Sequence, residues 1–238
     1  MKKFINDFRD LLRSVPPLIA AMFIISVVGM NLLANKSIDT GVEWLALDCG
    51  ILLSWITFLS MDVMTHCYGP WAATGMSIAA LLINLVMACI FFIAGSVPGV
   101  WGESFVDGSE TVINTALDNT FRRAWFILLG SSIAFIISAL VNNFLNYGIG
   151  KRVQKDGFGT FALRSYVSTF IAQFTDNLVF ALLVSKIFFG WTLTQCVTCA
   201  LTGAGLELLF EVFFSPLGYR IAKGIREDRI VGARLQKA

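Results

Sequence analysis

Charged residues are scarce in this 238-residue chain, and only one residue is a histidine. Asp, Glu, Lys and Arg together make up 14% of the chain, whereas a typical soluble domain is about 25% charged. Hydrophobic residues account for 56%, and the mean hydropathy is +0.74. So little charge excludes a disordered chain, a coiled coil and a nucleic-acid-binding domain. The composition predicts an all-α polytopic membrane protein.

Motifs of the common enzyme classes are also missing. There is no G-x-x-x-x-G-K-[ST] loop, so the chain is not expected to hydrolyse ATP itself. No G-x-S-x-G or H-E-x-x-H motif occurs, and the apolar runs contain no D-x-x-D pair of the lipid-transferase kind. We therefore expect a protein that is not an enzyme and needs no cofactor.

The five cysteines form no disulfide framework, since they are odd in number and lie in or beside apolar runs. Cys196 and Cys199 make a single C-x-x-C, but a zinc site needs two more ligands, and His66 is far away in sequence. We interpret these cysteines as small buried residues, and we expect no metal site.

Six apolar runs are long enough to cross a bilayer, which takes about 20 residues. Tyr68-Gly69-Pro70 joins the second to the third as a tight turn, and Pro216 is expected to kink the sixth. The polar stretch from Gly95 to Thr120 is interpreted as an extramembrane loop. We predict a single membrane domain over residues 1–238, with spans at about 15–34, 44–67, 71–94, 124–145, 166–189 and 193–221.

The basic residues predict the orientation. Fourteen of the 18 lysines and arginines lie at the two termini and in the loop between the fourth and fifth spans, and the other side has four. Cytoplasmic loops carry the excess of positive charge. Both termini are therefore predicted to be cytoplasmic.

Five acidic residues fall within the predicted spans: Asp48, Asp62, Asp176, Glu207 and Glu211. A charged residue at the centre of a span costs roughly 2.5–3.5 kcal/mol on insertion scales, so most of them must face the bundle interior, a wet cavity or an interface. Asp48 is near enough to the external end to reach the interface.

The helical period places polar residues on one stripe of each of three spans. Asp48, Trp55 and Asp62 are seven apart on the second span, and Glu207 and Glu211 share a face of the sixth. These groups could simply hydrogen-bond one another, bind a ligand rich in N–H donors, or carry protons. Trp55 could stack on a flat ligand or pack on a neighbouring helix, and Arg123 could be an interfacial anchor or part of the site. The stripe on the fifth span comprises Thr169, Gln173, Asp176 and Phe180, with Asn177 beside it.

Four segments resemble one known family. They are Asn31-Leu-Leu-Ala-Asn-Lys36, Leu59-Ser-Met-Asp62, the S-T-x-x-x-Q-x-x-D-x-x-x-F segment from Ser168 to Phe180, and Ser215-Pro-Leu-Gly-Tyr219. In order and spacing they resemble the VUT family of vitamin-uptake or queuosine-precursor transporters, from about Val27 to Tyr219.

The resemblance implies a six-helix inner-membrane protein, similar in outline to the substrate-binding subunits of ECF-type importers. The implied cargo is a 7-deazaguanine such as preQ0, preQ1 or queuine. Its flat ring suits aromatic side chains, and its guanine-like edge suits carboxylates and amides. The expected substrate-binding residues are Asn31, Asp62, Arg123, Gln173, Asp176, Asn177, Glu207 and Glu211. Of these, Glu207 and Glu211 are included because of the residue pattern on the sixth span and not because of the resemblance.

The sequence departs from the family pattern at three places. Glu207 stands where a lysine is common, Pro70-Trp71 follows the turn where basic residues are usual, and Asn142 stands where an acid is usual. The exact substrate therefore stays open, including another vitamin.

The energy source stays open as well. The chain could act alone with a proton, assemble as a homo-oligomer, or serve separate ATPase subunits. The competing function classes are a membrane-embedded enzyme acting on a lipid or prenyl substrate, and a structural or sensory membrane subunit.

Overall fold

The computed structural model describes residues 14–42, 47–102, 110–153 and 157–227. Most of the basic residues at the termini, on which the predicted orientation depends, lie outside these ranges. The described chain is almost entirely helical. Its long helices are α1 (Pro17–Leu33), α2 (Ile51–Tyr68), α3 (Pro70–Ala94), α4 (Glu110–Arg152), α5 (Phe158–Phe180) and α6 (Leu193–Arg226).

Five of the helices are long and apolar enough to cross a membrane: α2, α3, α4, α5 with its continuation to Phe188, and α6. The helix α1 is also apolar but shorter. This search covers only the described residues, and it confirms a helical protein with several candidate spans.

Two differences in helix bounds change an interpretation made from the sequence. Besides these two, α4 ends at Arg152 instead of 145, α5 begins at Phe158 instead of 166, and α6 ends at Arg226 instead of 221. The second span was predicted to begin at residue 44, but α2 begins at Ile51, and the segment before it pairs as a strand, β2 (Leu47–Asp48), with β1 (Ser37–Ile38). A short apolar run does not distinguish a strand from a helix. The prediction that Asp48 shares a helical stripe with Trp55 and Asp62 is therefore wrong.

The other difference is at the start of α4, which begins at Glu110 although the stretch to Thr120 was interpreted as a loop. That stretch is polar but has no glycine or proline after Gly108, so nothing interrupts a helix. Trp101 packs against its first turns: the indole N–H donates to Asp118 Oδ1 at 2.8 Å, and the ring stacks on Phe121 at 5.1 Å between centroids.

Turn and cap residues fix the helix connections. Gly69 joins α2 to α3 with a left-handed φ of 85°, and Pro70 opens α3; this confirms the predicted tight turn. Thr192 caps α6 in a capping box with Gln195. The helix α6 continues past Pro216, which cannot donate to the Val212 carbonyl; the Ser215 hydroxyl donates to it at 3.1 Å instead.

The distribution of polarity is the reverse of that in a soluble protein. Large apolar side chains such as Leu18, Trp71 and Phe213 are more than 70% exposed, while serines, asparagines and carboxyl groups are buried. An apolar surface suits lipid, and interior polar groups must find partners inside the bundle. The helix α5 packs along both α4 and α6, so its polar face is central.

Candidate functional site

A polar cavity lies where the end of α1, the β-hairpin and the start of α2 meet α5, α6 and the middle of α4. Its lining includes two serines, Ser54 and Ser131, and five amide or acidic side chains. Its volume is about 40 Å³, which is room for one or a few water molecules. The five amide and acidic residues of the lining are Asn31, Asp48, Asp176, Asn177 and Glu207.

Several polar atoms in and beside this cavity are buried and have no hydrogen-bond partner among the described residues. They are Nδ2 of Asn31, Nδ2 of Asn177 and Oε2 of Glu207. One turn before Asn177, both polar side-chain atoms of Gln173 are likewise unpartnered, although the residue has no exposed surface. Buried polar groups are nearly always paired. This concentration of unpaired donors and acceptors makes the cavity the candidate binding site.

Serine hydroxyls hold the cavity side chains in place. Ser54 donates to Glu207 Oε1 at 2.5 Å, and Ser138 donates to Asp176 Oδ1 at 2.6 Å. Ser131 donates to Asn31 Oδ1. On Asn31 and Glu207, one polar atom is fixed by a serine while the other is left unpaired.

Asp48 belongs to the cavity, although it was predicted to sit at the interface. Its Oδ1 accepts the backbone N–H of Gly50 at 2.7 Å, which directs the carboxyl group inward from the hairpin. Burial raises the pKa of this carboxyl to about 6, and the hydrogen bond from Gly50 opposes that rise.

The close approach of α5 to α6 depends on a glycine. A Cβ added at Gly203 would lie 2.6 Å from Nδ2 of Asn177. The absence of a side chain at this position therefore makes the space that the Asn177 amide occupies.

Asp62 and Glu211 form a second cluster, outside the cavity lining. Neither has any exposed surface. The two carboxyl groups are bridged by the hydroxyl of Ser165, which lies within hydrogen-bonding reach of Asp62 Oδ2 and Glu211 Oε1. Asp62 also accepts hydrogen bonds from Asn142 at 2.7 Å, Asn146 at 3.0 Å and Thr169 at 3.0 Å.

A chain of hydrogen bonds connects this cluster to a cation. The guanidinium of Arg164 donates to Oδ1 of Asn146 at 2.8 Å, and Nδ2 of Asn146 donates to Asp62. Arg164 also lies 2.9 Å from Nδ1 of His66. Arg164, one of the basic residues between the fourth and fifth predicted spans, thus also contacts the polar interior.

The eight predicted site residues separate into three groups. Asn31, Asp176, Asn177 and Glu207 line the cavity, with Gln173 buried one turn below it. Asp62 and Glu211 make the bridged pair. Arg123 is exposed on α4 and is not among the residues that line the cavity.

Trp55, for which two roles were open, stacks on Phe214 with ring centroids 4.1 Å apart. It lines an apolar groove with Leu18 and Leu217 and is not part of the polar cavity. Packing between helices is therefore its observed role.

The sequence reading missed the polar face of α4. Ser131, Ser138, Asn142 and Asn146 recur at helical spacing and supply partners to Asn31, Asp176 and Asp62. The same period that identified the stripe on α5 would have found them. A neutral serine or asparagine within a span is a weaker indication of a functional site than a carboxylate, because it costs less free energy to bury.

The family comparison decides what kind of protein this is. The family described as "Putative vitamin uptake transporter" matches residues 48–221, well over half of the chain. The chain belongs to the vitamin uptake transporter family. The match confirms the resemblance seen in the sequence, and it covers both the cavity and the bridged carboxyl pair, apart from the end of α1. No curated protein and no solved structure matched the chain.

Membership of the vitamin uptake transporter family, together with the apolar helices, identifies a multi-pass membrane protein of a transporter family. A small-molecule substrate and a bilayer environment are what such a family requires. In the part of the chain that the structure describes, no three His, Cys, Asp or Glu side chains are grouped so that they could hold a metal ion. Cys196 and Cys199 are free and buried, as expected of small packing residues, whereas Cys49 and Cys67 are half-buried and Cys89 is exposed.

Proposed function

We propose that this protein imports a queuosine precursor, a 7-deazaguanine such as preQ0, preQ1 or queuine, across a bacterial-type inner membrane. The whole chain, residues 1–238, acts as one domain with six spans, α1 being the first. Both termini are cytoplasmic, which the excess of basic residues on that side supports. The substrate binds in the polar cavity and is released on the opposite side by rearrangement of the helices.

The observation that carries this proposal is the set of unpaired atoms around the cavity. The guanine-like edge of a deazapurine offers adjacent N–H donors and a carbonyl acceptor. Oε2 of Glu207 can accept from the N–H groups, and Nδ2 of Asn177 and Nδ2 of Asn31 can donate to the carbonyl. The ring of Phe180, in the cavity wall, supplies an apolar face for a flat heterocycle.

Glu207 gives the site a preference for donors. The resemblance implies a lysine at this place, and the acid, unlike a lysine, can accept hydrogen bonds from the N–H groups of the ligand edge. This distinguishes a neutral or cationic deazaguanine from an anionic vitamin.

The cavity must widen before it can hold such a ligand. At about 40 Å³ it is far smaller than the roughly 300–1,000 Å³ of small-molecule sites. The structure therefore corresponds to a closed state of the site, and binding requires α2, α5 and α6 to separate.

A binding titration of the purified full-length protein tests the proposal. Thermal stability and calorimetric binding are measured against preQ0, preQ1, queuine, guanine and a panel of unrelated vitamins. At least one 7-deazaguanine should raise the melting temperature and bind saturably. Indifference to all of them, or selective binding of an unrelated vitamin, contradicts the substrate assignment.

A matched pair of variants then tests the site. Glu207→Gln should weaken binding roughly tenfold, because Ser54 already donates to one oxygen of residue 207 and the amide would present an N–H group, not an acceptor, to the ligand; a donor left without a partner costs about 1–3 kcal/mol. Thr175→Ala on α5 is the control, since its hydroxyl donates to the Ile171 carbonyl of its own helix at 2.8 Å. Equal affinities in the two variants would place the substrate elsewhere.

A further inference from the structure

The bridged carboxyl pair has a chemistry that the substrate cavity does not need. We propose that Asp62, Ser165 and Glu211 form a site that holds one exchangeable proton, separate from the cavity, and that this proton is released and rebound once per transport cycle. The coupling to transport rests on the proposed function, whereas the presence of the proton does not.

The number of hydrogen atoms available for the two contacts of Ser165 shows that one carboxyl group is protonated. The Ser165 hydroxyl has one hydrogen but lies within hydrogen-bonding reach of two carboxyl groups. It can donate to one of them only. The other contact is a hydrogen bond only if that carboxyl group is protonated and donates to the serine oxygen.

The surroundings place the proton on Glu211. Asp62 receives three other hydrogen bonds, from Asn142, Asn146 and Thr169, and that many donors stabilise a carboxylate. Glu211 receives none besides the serine contact, and its Oε2, fully buried, has no partner among the described residues. Hence Ser165 donates to ionised Asp62 and accepts from protonated Glu211.

The charges around the pair agree with a single negative charge. The helix α5 contributes Arg164, which acts on Asp62 through Asn146, and α2 contributes His66 behind Arg164. The helix α6 contributes another acid, Glu207, one turn before Glu211. Between Pro17 and Leu33 on α1, and between Pro70 and Ala94 on α3, the sequence has no acidic or basic residue, and α4 supplies neutral amides. The end of α6 adds Arg226, which lies 3.4 Å from Nε2 of His66. Among the described residues Arg164 is the cation linked to Asp62 through Asn146, and no cation contacts Glu211, so a second carboxylate there would be uncompensated.

The proton moves in two steps that balance. Glu211 Oε1–H breaks and the proton leaves for the aqueous side beyond Arg164 and His66, leaving a second carboxylate. A proton entering from the cavity side then restores the O–H bond. No electron is transferred, and the sum is one proton carried inward per cycle.

Infrared spectroscopy of the purified full-length protein without substrate tests for the proton directly. Above about pH 7, where Asp48 with its pKa of about 6 is ionised, wild-type protein should show a protonated carboxyl band that is absent in Glu211→Gln. The control, Glu227→Gln, changes an exposed acid that pairs with Lys223 at 3.8 Å and should keep the band. A wild-type spectrum without such a band over the pH range of the folded protein overturns the proposal, and that measurement needs no variant to fold. Retention of the band in folded Glu211→Gln also overturns it.

Proteoliposomes test the coupling. With one proton per neutral substrate molecule, an inward gradient of one pH unit supports about tenfold accumulation. Glu211→Gln should reduce this ratio to about one while substrate still equilibrates, and Glu227→Gln should retain it. Accumulation driven by a sodium gradient alone, or full accumulation by Glu211→Gln, contradicts the coupling. If no deazaguanine binds, the proposed substrate fails, but the infrared result still decides on the proton.

Discussion

Replacing Gly203 with alanine separates the proposed binding role of Asn177 from its contribution to folding. The added Cβ would lie 2.6 Å from Nδ2 and 3.2 Å from Cγ of Asn177. Ordinary contacts begin near 3.4 Å, so the amide must move by about 0.8 Å. Because Nδ2 has no partner among the described residues, it gives up no hydrogen bond within the described protein when it moves.

The added methyl group should leave the stability of the protein nearly unchanged but weaken ligand binding. Alanine in a helix interior is favoured over glycine by about 0.5–1 kcal/mol, which offsets the crowding, so thermal stability should change little. Binding should lose the contact from Asn177, worth about 0.5–1.5 kcal/mol, or about two- to tenfold in Kd. Gly205→Ala is the matched control on the same helix, since its Cβ would meet nothing within 4 Å.

Calorimetric titration with the best-bound deazaguanine and a thermal melt of each variant make the measurement. The Kd should rise for Gly203→Ala and stay unchanged for Gly205→Ala. The melting temperatures of both variants should be close to that of the wild type or above it. Equal affinities in the two variants would refute the assignment of Asn177 to the ligand. A large loss of stability in Gly203→Ala would show that Asn177 is held rigidly by packing.

Three other outcomes are expected. The pKa of Asp48 is about 6 in the folded protein against an ordinary 3.8, so the folded state binds the Asp48 proton more tightly than the unfolded state does. Protonated Asp48 therefore stabilises the folded protein below about pH 4, and this contribution is lost as the pH rises through about 6. Melting curves from pH 4 to 7 should show this decline in the wild type and a flatter profile in Asp48→Asn; identical profiles would contradict it. Gly69→Ala should lower stability by roughly 1–2 kcal/mol because an L-residue disfavours its φ of 85°, whereas Gly99→Ala, with nothing within 4 Å, should not; equal melting temperatures would show that the turn relaxes freely. Uptake by cells should be abolished by a protonophore and survive ATP depletion, and the reverse result would indicate separate ATPase subunits.

The apolar runs predicted the helices because their length and composition leave few alternatives in a membrane. Prediction failed where composition carries no such constraint. The run before Ile51 is apolar yet forms β2, and the stretch after Glu110 is polar yet helical. In both places the chain lies near a predicted end of a span, where the requirement for internal hydrogen bonds is relaxed and local pairing decides.

Helical spacing also predicted which polar residues share a face, as with Glu207 and Glu211 on α6. It could not predict partners on other helices. The position of Asp62 on its own span predicted a ligand-binding residue, and in the structure its carboxyl oxygens accept hydrogen bonds from Asn142 on α4 and Thr169 on α5. Such pairing depends on the rotation of one helix against another, and that rotation is set by packing over the whole bundle.

The two polar clusters lie along the same helices, α2, α4, α5 and α6, and this links them mechanically. The helix α2 carries Ser54 and Asp62, and α6 carries Glu207 and Glu211. Ser54 meets Glu207 at the cavity, and Ser165 joins Asp62 to Glu211 further along. A separation of α6 from α2 and α5 wide enough to admit a bicyclic ligand must break the first contact. Since a helix moves as a nearly rigid rod, the same motion withdraws Glu211 from its bridge and exposes its proton to exchange. Opening of the cavity and release of the proton are therefore consequences of one displacement.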